Sequence, residues 1–249
     1  METHPKNRNL TLTYGPLWRG WPLCPGHTPF VCEYLDRLLE TMQEASSVNK
    51  RLCAFRFDLH YPPEFTSTPE SAISRFFHRL QREVDKEMSM KTRRYPCSVH
   101  HVWAAERHLS ARNHYHVFIL VNKDAYYSWG PFPSLIGGNT GLGTRGGMAH
   151  CILRAWAHAL SAPPEMVVGS VHYAKNGIYY LNSNRPNRSA EFAAIFERAS
   201  YMAKAATKIY GQGFRSFGCS RRKETGQLAH QVCEAGVTDC GVATYGPGE

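Results

Sequence analysis

The segment Arg112-Asn113-His114-Tyr115-His116-Val117-Phe118-Ile119-Leu120-Val121 decides how the rest of the chain is read. Val117 to Val121 is apolar and β-favouring, which predicts a strand entering a core. Side chains alternate faces along a strand, so His114 and His116 point the same way. Two imidazoles placed like this form half of a divalent-metal site. The chain has 13 histidines, however, so one H-x-H pair carries little weight by itself.

Upstream, Cys97-Ser98-Val99-His100-His101-Val102-Trp103-Ala104-Ala105-Glu106 is a second strand-like run. Between the two, Arg107 to Asn113 is polar enough to turn the chain. A hairpin would bring Glu106 beside His114. Glu106, Ala104, Val102 and His100 share a face by alternation. Glu106 would then complete a Glu-His-His set, with His100 as a reserve ligand.

Far downstream, a helical run is expected from about Ser189 to Lys208. On it Tyr201, Lys204 and Lys208 fall at i, i+3 and i+7, on one face. A tyrosine with a lysine one turn later suits covalent phosphoryl chemistry, because a phenol needs a neighbouring cation or metal to become a good nucleophile. The competing reading is a core-packed tyrosine with two solvated lysines.

Taken together, these pieces resemble the HUH endonucleases, which include rolling-circle replication initiators of small plasmids and phages. The closer resemblance is to inovirus-type replication proteins and their prophage relatives with a YagK/YfjJ-like domain. It rests on Arg56-Phe57-Asp58-Leu59-His60 before the H-x-H strand and on Ser200 to Lys208. The Gly/Arg/Ser run from Arg215 to Arg221 completes it, so that it spans roughly Arg51 to Arg222. The resemblance implies Mg²⁺ or Mn²⁺ held by Glu106, His114 and His116. It makes Tyr201 the nucleophile on single-stranded DNA at a replication origin, with Lys204 stabilising charge beside it. Arg56, Asp58, His60, His100, Lys208, Arg215 and Arg221 would support the site or contact DNA. Relatives of this kind often carry a second tyrosine four residues after the first; here that residue is Ala205, which implies a single-tyrosine enzyme.

The formal net charge of +9 and a pI of about 9.2 fit a polyanionic partner. The excess is local. Arg185 to Lys223 holds nine Lys/Arg against two acids, surrounding Tyr201 where a phosphate backbone would lie. Eight cysteines are scattered without a C-x-x-C pair, which argues against a zinc ribbon or redox motif and for free thiols. No apolar run reaches membrane-spanning length, and the start of the chain lacks the apolar core of a secretory signal. A cytoplasmic protein of the bacterial host cell is expected.

The chain divides by composition into an extension with one helix (1–50), a catalytic domain (51–223) and a weakly ordered tail (224–249). Residues 1 to 29 read as an extended arm, and Phe30 to Ala45 as an amphipathic helix for packing or dimerisation. Leu52 to His60 reads as a strand. Phe55, Phe57 and Leu59 take one face; Arg56, Asp58 and His60 take the other, which looks either into the site or into solvent. Thr68-Pro69-Glu70 starts a helix to about Met88. Asp124 to Trp129 reads as a short helix. Gly130 to Gly147 is a Gly-rich loop but not a Walker loop, since no Gly-Lys-Ser/Thr follows. Without a nucleotide motor, a separate helicase and polymerase are expected as partners. Met148 to Leu160 is a further helix. Gly169 to Ala174 and Ile178 to Asn182 read as a hairpin around Asn176-Gly177. The sum is an α+β fold, a central antiparallel sheet of about five strands with helices packed on it, which is also the HUH/Rep-like architecture.

Three functions remain open on the sequence. They are a nicking and rejoining enzyme of replication (or a single-tyrosine transposase or relaxase), a non-catalytic DNA-binding protein on a degenerate nuclease fold, and a structural zinc protein.

Overall fold

A computed structural model describes residues 2–65, 69, 71–107, 113–133, 146–206, 208, 210 and 215–220. Arg221, the Thr68 cap, most of the Gly-rich loop and the expected tail lie outside them.

Five short strands open the chain: β1 (Glu2–Thr3), β2 (Thr11–Thr13), β3 (Leu17–Trp18), β4 (Trp21–Pro22) and β5 (Phe30–Val31). They pair into a small β1-β2-β5 sheet and a β3-β4 ribbon, so the expected extended arm is locally folded. Then come α1 (Cys32–Val48), β6 (Arg51–Leu59), α2 (Ala72–Met90), β7 (His100–Arg107), β8 (Asn113–Asn122), α3 (Met148–Leu160) and α4 (Pro164–Val167). The chain continues with β9 (Val171–Asn182), α5 (Arg188–Ser200) and β10 (Phe217–Cys219). The main sheet runs β10-β7-β8-β6-β9, every neighbour antiparallel. This is the α+β architecture expected.

Both faces of the sheet are covered, which is why Val117 to Val121 is apolar without interruption. One face carries Phe55, Phe57, Val117 and Ile119 against Phe76, Leu80 and Val84 of α2 and Ile152 and Trp156 of α3. The other carries Leu52, Ala54, Phe118 and Leu120 against Leu35, Leu38 and Met42 of α1 and Ile195 and Phe196 of α5. The apolar stripe of α1 thus packs on the sheet. Along this second face the strands change character. Leu52 and Ala54 give way to Arg56 and Asp58, Leu120 and Phe118 to His116 and His114, and Val102 and Ala104 to Glu106. A polar floor therefore forms at one end of an otherwise apolar face, where α5 ends.

Three expectations are corrected. The hairpin at 169–182 is one strand. Phe55 pairs with Ile178 and Phe57 with Tyr173, so residues 174–177 bulge opposite Arg56. Asn176 takes a left-handed conformation (φ 53°), and the Asn-Gly pair serves a bulge rather than a reversal. The fifth strand is instead β10, in the Gly/Arg/Ser run, on the edge beside β7. Residues 124–129 are turns, not a helix, because the Asn122 side chain accepts from Asp124 N at 2.9 Å and closes the chain on itself. Third, α5 stops at Ser200 and is followed by a single 3₁₀ turn, Tyr201–Ala203. Lys204 is extended and bridges Phe30, while Ala205 N donates to Pro29 O at 2.8 Å. A distant segment takes the hydrogen bonds that another helical turn would have made.

The bulge has a testable requirement. A Cβ on Gly177 would lie 2.7 Å from both Ala174 O and Arg56 O. Gly177→Ala is expected to cost about 1–3 kcal/mol, since backbone must shift to admit it. A melting temperature equal to that of the unaltered protein would show that the bulge tolerates a side chain. Among the described residues the six cysteines are free thiols, and no helix is long and apolar enough to cross a membrane.

Candidate metal centre and tyrosine

The β7–β8 register sets Glu106 opposite His114 and Ala104 opposite His116. From the other side of β8, Asp58 of β6 faces His116. The Nε2 atoms of His114 and His116 lie 3.3 Å apart, and Glu106 Oε2 is 3.2 Å from His116 Nε2. One ligand atom from each of the three residues falls within 4.8 Å of the others, and all three residues are buried.

The donors fit a metal ion. Two buried imidazole nitrogens facing each other at 3.3 Å need a proton or a cation between them. Burial first, then His116 and His60, push the His114 pKa down to about 4, so at neutral pH its nitrogen is free to ligate. Asp58 Oδ1 is 2.6 Å from His116 Nδ1. The buried Arg56 guanidinium donates to Phe57 O at 2.6 Å, pairs with Asp58 and reaches His116 Nδ1 at 2.8 Å. One nitrogen cannot accept from Arg56 and donate to Asp58 at once. With Nε2 turned toward Glu106, Nδ1 carries the proton and donates to Asp58, as the ring of a metal-binding histidine does. Burial would raise the Asp58 pKa, but the His116 hydrogen bond and the Arg56 charge hold it below the usual carboxylate range.

Glu106 has two further partners. Lys204 Nζ lies 2.9 Å from its Oε2, and Lys208 Nζ donates to its Oε1 at 3.1 Å. Burial would raise the Glu106 pKa; the contact with His116 and the Lys208 charge keep it far below the ordinary range instead. Lys204 also donates to the Tyr201 hydroxyl and stands 3.9 Å over that ring. The ring of Tyr201 packs at 5.2 Å on that of His116. One ammonium therefore joins the tyrosine to the metal-ligand cluster.

Not every expected residue arrives as expected. Lys208, expected to touch a DNA backbone, is buried against Glu106, and burial pushes its pKa down to about 8. A buried ammonium neutralises a buried carboxylate here and cannot lie on a nucleic-acid surface. His100 shares the face of Glu106 but pairs with Leu120, six residues along β7 or about 20 Å away, so it is no reserve ligand. His60 stacks on His114 at 5.1 Å and Arg215 is exposed at the start of the β10 edge. Two residues escaped the sequence reading. His172, opposite Asp58 on β9, packs on His60 at 4.3 Å; finding it required the register across the bulge. His27 lies against Tyr201, and no local motif marks it.

These shifts set a pH dependence. The folded His114 pKa of about 4 lies below the ordinary 6.5, so the unfolded chain takes that proton first and stability falls as pH drops through that window. Glu106 and Asp58 are held below their ordinary 4.5 and 3.8, so a second loss begins below about 4.5. Melting temperatures followed from about pH 7 to pH 3 are expected to decline in those two stages. A level profile would contradict the burial described.

The fold and the cluster define a class: an α+β protein whose antiparallel sheet sets a buried Glu-His-His group, able to hold a metal ion, beside a tyrosine. The chain belongs to the YagK/YfjJ C-terminal domain family, which matches residues 25–220. It is 30% identical over 208 residues to the uncharacterized protein YagK of Escherichia coli strain K12, covering 78% of this chain and 95% of that one. It is 32% identical over 203 residues to the uncharacterized protein YfjJ of the same strain, covering 76% and 93%. No solved structure gives a significant match.

Proposed function

We propose that the protein nicks and rejoins single-stranded DNA through a phosphotyrosine intermediate, as an HUH-type endonuclease initiating rolling-circle replication of a phage or prophage element. The observation that carries this is the Lys204 ammonium, which touches both the Tyr201 hydroxyl and Glu106 of the metal-ligand cluster. A divalent cation, Mg²⁺ or Mn²⁺, held by Glu106, His114 and His116, would supply Lewis-acid polarisation of the scissile phosphate.

The protein's own groups do the rest. Tyr201 Oη attacks phosphorus, the Oη–P bond forms, and the bond to the 3′ oxygen breaks. The tyrosine proton is released and the departing 3′ oxygen takes one up. Lys204 stabilises the phenolate as it forms. Asp58 accepts from His116 Nδ1 and fixes the ring and its tautomer, and Arg56 pairs with Asp58. The linkage to Tyr201 conserves the phosphodiester energy, so a later 3′-OH can reverse the step without ATP. Ala205, where relatives of this kind often carry a second tyrosine, supports one nucleophile per chain. The basic surroundings of Tyr201 support a DNA strand as the substrate. A separate helicase and polymerase would serve as partners in the host cytoplasm. Glu106 is already neutralised by Lys204 and Lys208, which disfavours a structural zinc that the fold needs.

The test is cleavage of end-labelled oligonucleotides drawn from the protein's own genetic element. Single strands should be cut with Mn²⁺ or Mg²⁺ to leave a 3′-OH, and remain intact with EDTA. Tight binding without cleavage of any strand would leave a DNA-binding module instead.

A further inference from the structure

We propose that His27 is a functional side chain of this site, the residue that holds the Tyr201 ring in place for attack. Its role in cleavage rests on the nicking reading; its contact with Tyr201 does not.

Cys24-Pro25-Gly26-His27 precedes the strand that meets Lys204. Proline followed by glycine at φ 75° has the signature of a type II turn, which delivers the next residue at a set angle. The turn is tied to the end of α5 by Cys24 N, which donates to the buried Ser200 Oγ at 2.9 Å. Beyond the turn, Pro29 O accepts from Ala205 N at 2.8 Å and Phe30 bridges Lys204. The three ties fix residues 24–30 across the segment that carries Tyr201. Between them, the half-buried His27 ring meets Tyr201 edge-on, with centroids 4.8 Å apart and planes at 88°. On its other contacts Tyr201 meets His116 at 5.2 Å and 79°, with the Lys204 ammonium 3.9 Å from its centroid.

Tyr201 needs such a holder. It stands on a single 3₁₀ turn past the end of a helix and is only half-buried, so its own backbone restrains the ring weakly. A T-shaped aromatic contact restrains orientation as well as position. Burial, then Lys204, lowers the His27 pKa. His27 makes no hydrogen bond to the tyrosine hydroxyl that would mark it as a base; it acts through Tyr201.

The test is made on the full chain with 3-fluorotyrosine at position 201, metal-free and without DNA. His27→Ala should move and broaden the ¹⁹F resonance, and His27→Phe, which keeps an aromatic edge, should restore it. With metal and DNA, His27→Ala should slow covalent adduct formation about tenfold to a hundredfold, the cost of a misplaced nucleophile, with unchanged affinity for the strand. His27→Phe should recover most of that rate. An unmoved ¹⁹F signal in His27→Ala overturns the proposal, as does a normal rate despite a moved signal. If the unaltered protein forms no adduct but its signal responds to His27→Ala, the contact stands and the nicking reading falls.

Discussion

Tyr201→Phe is expected to abolish strand cleavage, by at least about a thousandfold, while leaving the fold and the affinity for DNA nearly intact. The substitution removes one atom and its hydrogen. The phenyl ring keeps its edge contacts with His27 and His116, and Lys204 keeps Glu106 at 2.9 Å. The stability change should therefore stay within about 1 kcal/mol, the worth of one partly exposed hydrogen bond. Cleavage that persists in Tyr201→Phe would point to water as the nucleophile, and the tyrosine would then be a packing residue.

The second large effect is on stability. Glu106→Ala removes a fully buried carboxylate that His116, Lys204 and Lys208 all approach. The Lys208 side chain is itself fully buried, so the variant leaves an ammonium without a counter-charge. Such a loss costs about 3–5 kcal/mol, a large share of the roughly 5–15 kcal/mol that holds a domain folded. A fall in melting temperature on the order of 10 °C is expected in a chain of this size. Its pH dependence follows. Without Glu106 the folded Lys208 pKa drops further below the ordinary 10.5, from its present value of about 8. The folded variant then binds fewer protons than the unfolded chain, so its stability should rise with pH up to the ordinary lysine range. Glu106→Gln, which keeps the volume and one acceptor, should melt higher than Glu106→Ala yet lose metal affinity. Equal melting of Glu106→Ala and the unaltered protein would mean that the carboxylate is not buried with its lysines.

The sheet and the Glu-His-His cluster are legible for one reason. Strand alternation has a period of two, so His114, His116 and Glu106 could be placed on one face, as could Arg56 and Asp58. A short hairpin then set Glu106 against His114. What was not legible depends on partners far away in the chain. Helix α5 ends at Ser200 because Pro29 and Phe30 take over the backbone at Lys204 and Ala205, and no signal near Tyr201 announces it. Lys208 reads as solvated until the chain past that break carries it under Glu106. Asn176-Gly177 has the signature of a hairpin, yet both halves of β9 pair with β6, so the same pair relieves a bulge. His27 has no motif; only the tertiary ties at Cys24 and Pro29 bring it to Tyr201.

Mass spectrometry of the protein after reaction with single-stranded oligonucleotides and Mn²⁺ tests the covalent mechanism at its key bond. The expected product is a metal-dependent adduct in which one tryptic peptide, the one containing Tyr201, carries a 5′-phosphoryl nucleotide on the phenolic oxygen. Strand cleavage with no adduct, or an adduct on another residue, would contradict it.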